Sequence, residues 1–154
     1  MKEAGYNDPH AAASYEGLSL EEFALKVFPD MYNNVDSPCL EKVESLGNGE
    51  EGETSIQSAV YKNRSVFSLN GPVKIARIAF SSYLRLASAL GHELVHVQNV
   101  QNGNMSVWYN KYKSEDYRKA MSEFESISWE IINQGLPNYN LFKSYGAIID
   151  SFNN

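Results

Sequence analysis

His92-Glu93-Leu94-Val95-His96 places two imidazoles four positions apart, with a glutamate beside the first. On a helix, residues i and i+4 lie on one face, one turn above each other. Both rings can then bind one metal ion without distorting the backbone. Glu93 projects close to the same ion, where it can take a proton from a bound water. That is the minimal apparatus of a zinc hydrolase. The chain has only three histidines (His10, His92 and His96), and two of them fall in this spacing.

The surrounding segment raises the value of the motif. Ser82 to Asn102 contains no proline, and its only charges are Arg85 and Glu93. Leu84, Leu90, Leu94, Val95 and Val97 give it a broad apolar surface, so a mostly buried helix is expected. Burying two histidines and a glutamate unpaired is costly, and a metal gives them a purpose. The plainer alternative, two core histidines bonded to backbone carbonyls, leaves Glu93 unexplained.

A catalytic zinc takes three protein ligands and keeps its fourth position open. No further histidine follows His96, so a third imidazole downstream is excluded, and the only cysteine, Cys39, lies far upstream. A carboxylate remains. Glu115 to Gln134 reads as a helix whose inward face carries Tyr117, Met121, Phe124, Ile127, Ser128 and Ile131. Glu123 and Glu125 flank that face, about 100° to either side of Phe124. Geometry alone does not choose between them. Glu130 lies almost two full turns beyond Glu123 on the same flank, where it could orient a histidine through its second ring nitrogen.

His92-Glu93-x-x-His96 followed by a helix bearing Glu-x-x-Ser resembles the gluzincin class of metallopeptidases. The wider run is Ala79-Phe80-Ser81-Ser82, then Gly91 to Val97, then Ser122 to Ser126 and Trp129-Glu130. It is similar to small metallopeptidase domains found as effectors and at the toxin ends of bacterial polymorphic toxins. The likeness spans about residues 73–134. It implies zinc on His92, His96 and Glu123, with Glu93 as the catalytic base. It also implies an α+β, zincin-like fold, mostly helical, with a small sheet beside the metal-binding helix. A protein or peptide substrate follows, with action inside another cell and a cognate inhibitor (immunity) protein. Glu125 also begins a Glu-x-x-Ser element, ending at Ser128.

Composition bounds the remaining choices. With 154 residues, a single domain over 1–154 has enough chain for a sizeable core. A formal charge of −6 and no basic run argue against nucleic acid and against an anionic membrane surface. The acidic balance mildly favours a basic or neutral substrate. One cysteine excludes an intrachain disulfide. No apolar run reaches the length of about 18 residues that a spanning helix needs. Met1 to His10 lacks the apolar core of a secretory signal, so any delivery signal is expected in a longer parent chain.

The elements that must position the motif are partly legible. Residues 1–17 read as a loosely held arm. Ser19-x-x-Glu22 is a capping box opening a short helix that stops near Pro29. Ser37 as cap and Pro38 at the first position suggest a second helix, ending at Gly47. Thr54 to Tyr61 and Ser65 to Leu69 are strand candidates, Asn70-Gly71-Pro72 is a turn signal, and Val73 to Phe80 is a further strand. That strand is expected in the small sheet, where an edge along the cleft could pair with an extended substrate. Ser81 or Ser82 caps the motif helix. Gly103 to Ser114 reads as an aromatic connector whose rings cover the core. Ser114 caps the next helix, Gly135 and Pro137 stop it, and Leu141 to Phe152 form a closing helix.

Two competing readings stay open. One is a non-catalytic module that binds zinc structurally or docks a partner, which needs a fourth ligand such as Glu125 or Glu130. The other is a metal hydrolase acting on a bond other than a peptide. For the oxyanion donor that such chemistry uses, His10, Tyr109, Tyr112, Tyr139, Tyr145 and Arg118 are unranked.

Overall fold

The computed structural model describes all residues except Lys2, Glu3, Ser37, Leu136 and Pro137. Its order is α1 (Leu20–Val27), α2 (Pro29–Asn34), β1 (Leu40–Val43), β2 (Gly52–Tyr61), β3 (Arg64–Ala76), α3 (Tyr83–Gln101), α4 (Asn104–Tyr112), α5 (Glu115–Gln134) and α6 (Tyr139–Asn153). Short 3-10 turns cover Gly47–Gly49 and Arg77–Ser81. The class is α+β. The described residues give one three-stranded sheet, ordered β1-β3-β2, with β3 parallel to β1 and antiparallel to β2.

The long helices start where serine hydroxyls can take up orphan backbone donors. Ser82 accepts from the Arg85 N–H, and Ser114 from the Tyr117 N–H. Gly135 ends α5 in the left-handed region, at φ 66°. Ser19 caps α1 as expected, but Pro29 does more than stop it. It occupies the first position of α2, where a missing N–H costs nothing.

Three expectations are corrected. The helix expected over 37–47 is instead the strand β1, whose Leu40 to Val43 pair with Val73 to Ala76. Its expected cap, Ser37, lies outside the described residues. The long β3 needs a partner on its second edge, and that pairing overrides local propensity. Asn70-Gly71-Pro72 does not turn the chain. Thr54 faces Val73 and Ile56 faces Leu69, so these three residues stand opposite Ser55 as a wide bulge inside β3. Gly71 takes φ +94° there, and Pro72 has no N–H to leave unpaired. The strand expected to reach Phe80 ends at Ala76 and tightens into the 3-10 turn.

Described residues of the N-terminal arm bond to the start of α3. The Leu84 N–H donates to the Pro9 carbonyl at 2.9 Å and the Tyr83 N–H to the Ala11 carbonyl at 3.0 Å. The arm therefore satisfies the first donors of α3 with backbone carbonyls. Tyr6 packs against Phe23 and Tyr83, with ring centroids 5.1 and 4.7 Å away, and Ala13 is buried.

Helix α3 runs through the centre. Leu86, Leu90, Leu94 and Val97 are fully buried between α1, the sheet and α5. Each such leucine contributes about 1.5–3 kcal/mol by leaving water. The aromatic connector is the helix α4, and it does cover core. Met105 and Trp108 pack with Val100 and Tyr117 in a second cluster, bordered by Phe67, Ile149 and Phe152.

The close approach of α3 and α5 depends on Gly91. A Cβ there would stand 1.9 Å from Cη2 of Trp129, whose ring also packs edge-on against Phe28 at 5.6 Å. Gly91→Ala is expected to lower unfolding free energy by about 1–3 kcal/mol through overpacking. A denaturant titration reads this directly. An unchanged midpoint would mean that Trp129 swings clear at no cost.

A buried cation anchors the start of α5. Arg118 is 5% exposed, forms an ion pair with Glu115, and lies over the Phe67 ring at 5.2 Å. The hydrogen bond from Arg118 holds the Glu115 carboxyl below its ordinary 4.5, against the opposing effect of burial. A carboxyl depressed in the folded state stabilises above its unfolded pKa and loses that contribution as pH falls through the folded one. Glu115 is half exposed, so screening limits the effect to about 1 kcal/mol. Wild type is therefore expected to be more stable than Glu115→Gln near neutrality and to lose that margin below about pH 4. Parallel thermal melts at several pH values check it, and a margin independent of pH would sink it.

Candidate metal centre

His92 and His96 sit one turn apart on α3, and Glu123 reaches them from α5. One donor atom from each of the three lies within 4.8 Å of the others. The Nε2 atoms of the two histidines are 3.1 Å apart. Glu123 places one carboxylate oxygen 3.0 Å from His96 Nε2 and the other 3.3 Å from His92 Nε2. Glu125 is exposed on the other flank of α5, beside Val95 and Gln98. Of the two glutamates that helical geometry left equal, Glu123 is the one brought to the histidines.

The far nitrogen of each ring is fixed by α5. His92 Nδ1 lies 2.9 Å from Glu130 Oε2, and His96 Nδ1 lies 2.7 Å from Ser122 Oγ. With those oxygens accepting, each Nδ1 carries a proton and each Nε2 faces the cluster. Ser126, fully buried, donates to the His92 carbonyl at 3.1 Å and lies 3.3 Å from His96 Nδ1. It thereby ties α5 to α3 beside Glu123. Ser128, which ends the Glu-x-x-Ser element begun at Glu125, only donates back to the Phe124 carbonyl of its own helix. Ser122, Ser126 and Glu130 recur every four residues, a polar stripe beside the apolar face of an amphipathic helix. The spacing marks Glu130, and the same stripe could have marked the two serines.

Glu93 is buried beside the group but not part of it. Its nearer carboxylate oxygen is 4.0 Å from His92 Nε2. The Thr54 hydroxyl, on β2, donates to the other oxygen at 2.7 Å. Gly52, also on β2, is in close contact: a Cβ there would stand 2.8 Å from Glu93 Cγ. The edge strand thus leaves room for the glutamate at a glycine and holds it at a threonine. Sequence patterning alone does not reveal either residue, because the contact joins segments about forty positions apart.

Electrostatics at the cluster call for positive charge. Burial works against a charged His92 ring, but hydrogen bonds to Glu123 and Glu130 and the Glu93 charge outweigh it, and its pKa is pushed up to about 10. Burial also works against the Glu123 carboxylate, yet bonds from His92 and His96 hold it well below the usual range. Burial raises Glu93, opposed by the two histidines and Thr54. With the His92 proton displaced, the two Nε2 atoms and the ionised carboxylate would form a donor set suited to a first-row divalent ion.

The other residues considered for this centre separate clearly. His10 is exposed on the N-terminal arm, away from the cluster lining. Tyr109 packs on Phe67, the Tyr112 hydroxyl donates to Asn153, Tyr139 is 55% exposed, and Arg118 is committed to Glu115. Tyr145, on α6, lines a cavity with His96 and Glu123. Burial and the Glu123 charge raise its pKa, so the phenol stays protonated and able to donate.

The cluster opens on both sides. One cavity of about 370 Å³ lies toward Gly52 and Glu130, and another of about 400 Å³ toward Ile56 and Tyr145. Among the described residues, no helix is long and apolar enough to cross a membrane. No family model, curated protein or solved structure matches the chain.

Proposed function

We propose that this chain is a zinc-dependent metallopeptidase of the gluzincin type, on a zincin-like fold. The observation that carries the reading is the convergence of His92, His96 and Glu123, with Glu93 beside them and outside the group. His92, His96 and Glu123 would hold the metal. When bound, zinc supplies Lewis acidity, lowering the pKa of a water toward about 7 and polarising a carbonyl.

The chain's own residues do the rest. Glu93, buried and oriented by Thr54, accepts the proton of the attacking water and returns it to the leaving amine. Tyr145 donates to the carbonyl oxygen on which negative charge develops. Glu130 and Ser122 keep the histidines in the ligating tautomer. The free edge of β2 offers backbone groups to an extended peptide, holding it without reading its sequence.

A structural zinc site would close the coordination with a fourth protein ligand. Among the described residues the group holds three, and Glu130 is spent on the far side of His92. That favours an open, catalytic centre over the non-catalytic module. The test is zinc content with cleavage of peptide and ester substrates, before and after chelation and zinc return. About one zinc per chain and chelator-sensitive peptide cleavage are expected. Ester cleavage alone would move the reading to another hydrolase, and no metal uptake would remove it.

A further inference from the structure

The two cavities that meet at the cluster have different linings, and β2 runs along both. Gly52 and Thr54 border the first, and Thr54 and Ile56 the second. From Gly52 to Ile56 an extended strand rises about 13 Å, the length of roughly four residues of a paired peptide. A peptide on this edge therefore enters both cavities, one on each side of Glu123 and His96.

The first cavity is acidic. Glu50, Glu51, Glu53 and Glu130 line it together with Glu93 and Glu123, and no lysine or arginine does. Glu51 pairs with Arg85, and Glu130 with His92. Glu50 is exposed and Glu53 accepts only from Ser55; neither joins an ion pair among the described residues. A divalent ion at the cluster leaves this wall negative. The second cavity is bounded by Ile56, Met105 and the Tyr145 ring; its buried Arg118 is neutralised by Glu115, and the exposed Lys119 also lines it.

We propose that the cleft selects a polypeptide segment with a lysine or arginine side chain on one side of the cleaved bond and a large apolar side chain on the other. The acidic wall receives the cation, through Glu50 and Glu53. The Ile56–Met105–Tyr145 cavity receives the apolar side chain. This specificity rests on the peptidase reading above.

The test uses the zinc-loaded chain and quenched fluorescent peptides in which the two residues flanking the bond vary among Lys, Glu, Leu and Asn. The Lys/Leu pairing is expected to be cleaved best, with kcat/KM falling roughly tenfold when Glu replaces Lys, since each exposed charge pair is worth a few-fold. A fall is also expected when Asn replaces Leu. The double variant Glu50→Lys/Glu53→Lys, at one exposed and one half-buried position outside the metal group, is expected to lose the Lys preference and to gain on Glu peptides. Equal cleavage of Lys and Glu peptides, or a preference unchanged by charge reversal, overturns the proposal. Fluorescence anisotropy with zinc-loaded Glu93→Gln separates the two readings. Tight binding of the Lys/Leu peptide and weak binding of its Glu analogue, with no cleavage by wild type, would sink the peptidase and leave the subsites standing. Binding of neither peptide would sink the subsites.

Discussion

Replacing Glu93 by glutamine is expected to keep zinc bound and to slow peptide cleavage by about 10²–10⁴-fold, the usual worth of a general base. The substitution keeps the side chain's shape. The Thr54 hydroxyl, 2.7 Å from the carboxylate, can donate equally well to an amide oxygen. The contact with Gly52 is preserved because no atom is added at Cγ. What disappears is the ability to accept a proton. Glu93 approaches His92 Nε2 only to 4.0 Å, whereas Glu123 comes to 3.3 Å and also reaches His96, so metal retention is not expected to depend on it. Zinc per chain and kcat, measured on the same preparations, decide the matter. Loss of zinc with the activity would make Glu93 a ligand and remove it as base.

What the sequence discloses and what it conceals divide along the range of the interactions. Helix α3 and its motif are local facts: an i,i+4 pair, a serine cap and an uninterrupted apolar surface. The same holds for α5, opened by Ser114 and closed by Gly135. The choice of Glu123 over Glu125 is not local. It is made by the face that α5 turns toward α3, where Trp129 packs on Gly91 and Ser126 bonds to the His92 carbonyl. The sheet was the least legible part. β1 follows cap-like residues yet pairs with β3, and Asn70-Gly71-Pro72 carries turn chemistry yet forms a bulge. Strand pairing joins residues dozens of positions apart, and no local pattern encodes the partner. The arm was hidden for another reason. It caps α3 with backbone carbonyls, which every residue possesses.

Zinc is expected to be lost with Glu123→Ala and kept with Glu125→Ala. The apparent binding free energy of structural zinc in peptides, about 10–16 kcal/mol over four ligands, gives about 3 kcal/mol per ligand, or on the order of a hundredfold in affinity. Glu123→Ala removes a ligand that touches both histidines, so at least that loss is expected. It also strips the carboxylate that stabilises charge on His92, leaving the two Nε2 atoms 3.1 Å apart with no anion between them. Glu125 is exposed, lines a different surface near Gln98 and Asn99, and begins a Glu-x-x-Ser element whose Ser128 bonds only within its own helix. Removing it touches none of these contacts. Competition with a chromogenic chelator on the three proteins in parallel reads the affinities. Loss confined to Glu125→Ala would require α5 to turn by about 200° about its axis. That rotation would pull Ser122, Ser126 and Glu130 away from the rings they now orient, so the outcome would overturn the packing of α5 on α3 as well as the ligand assignment.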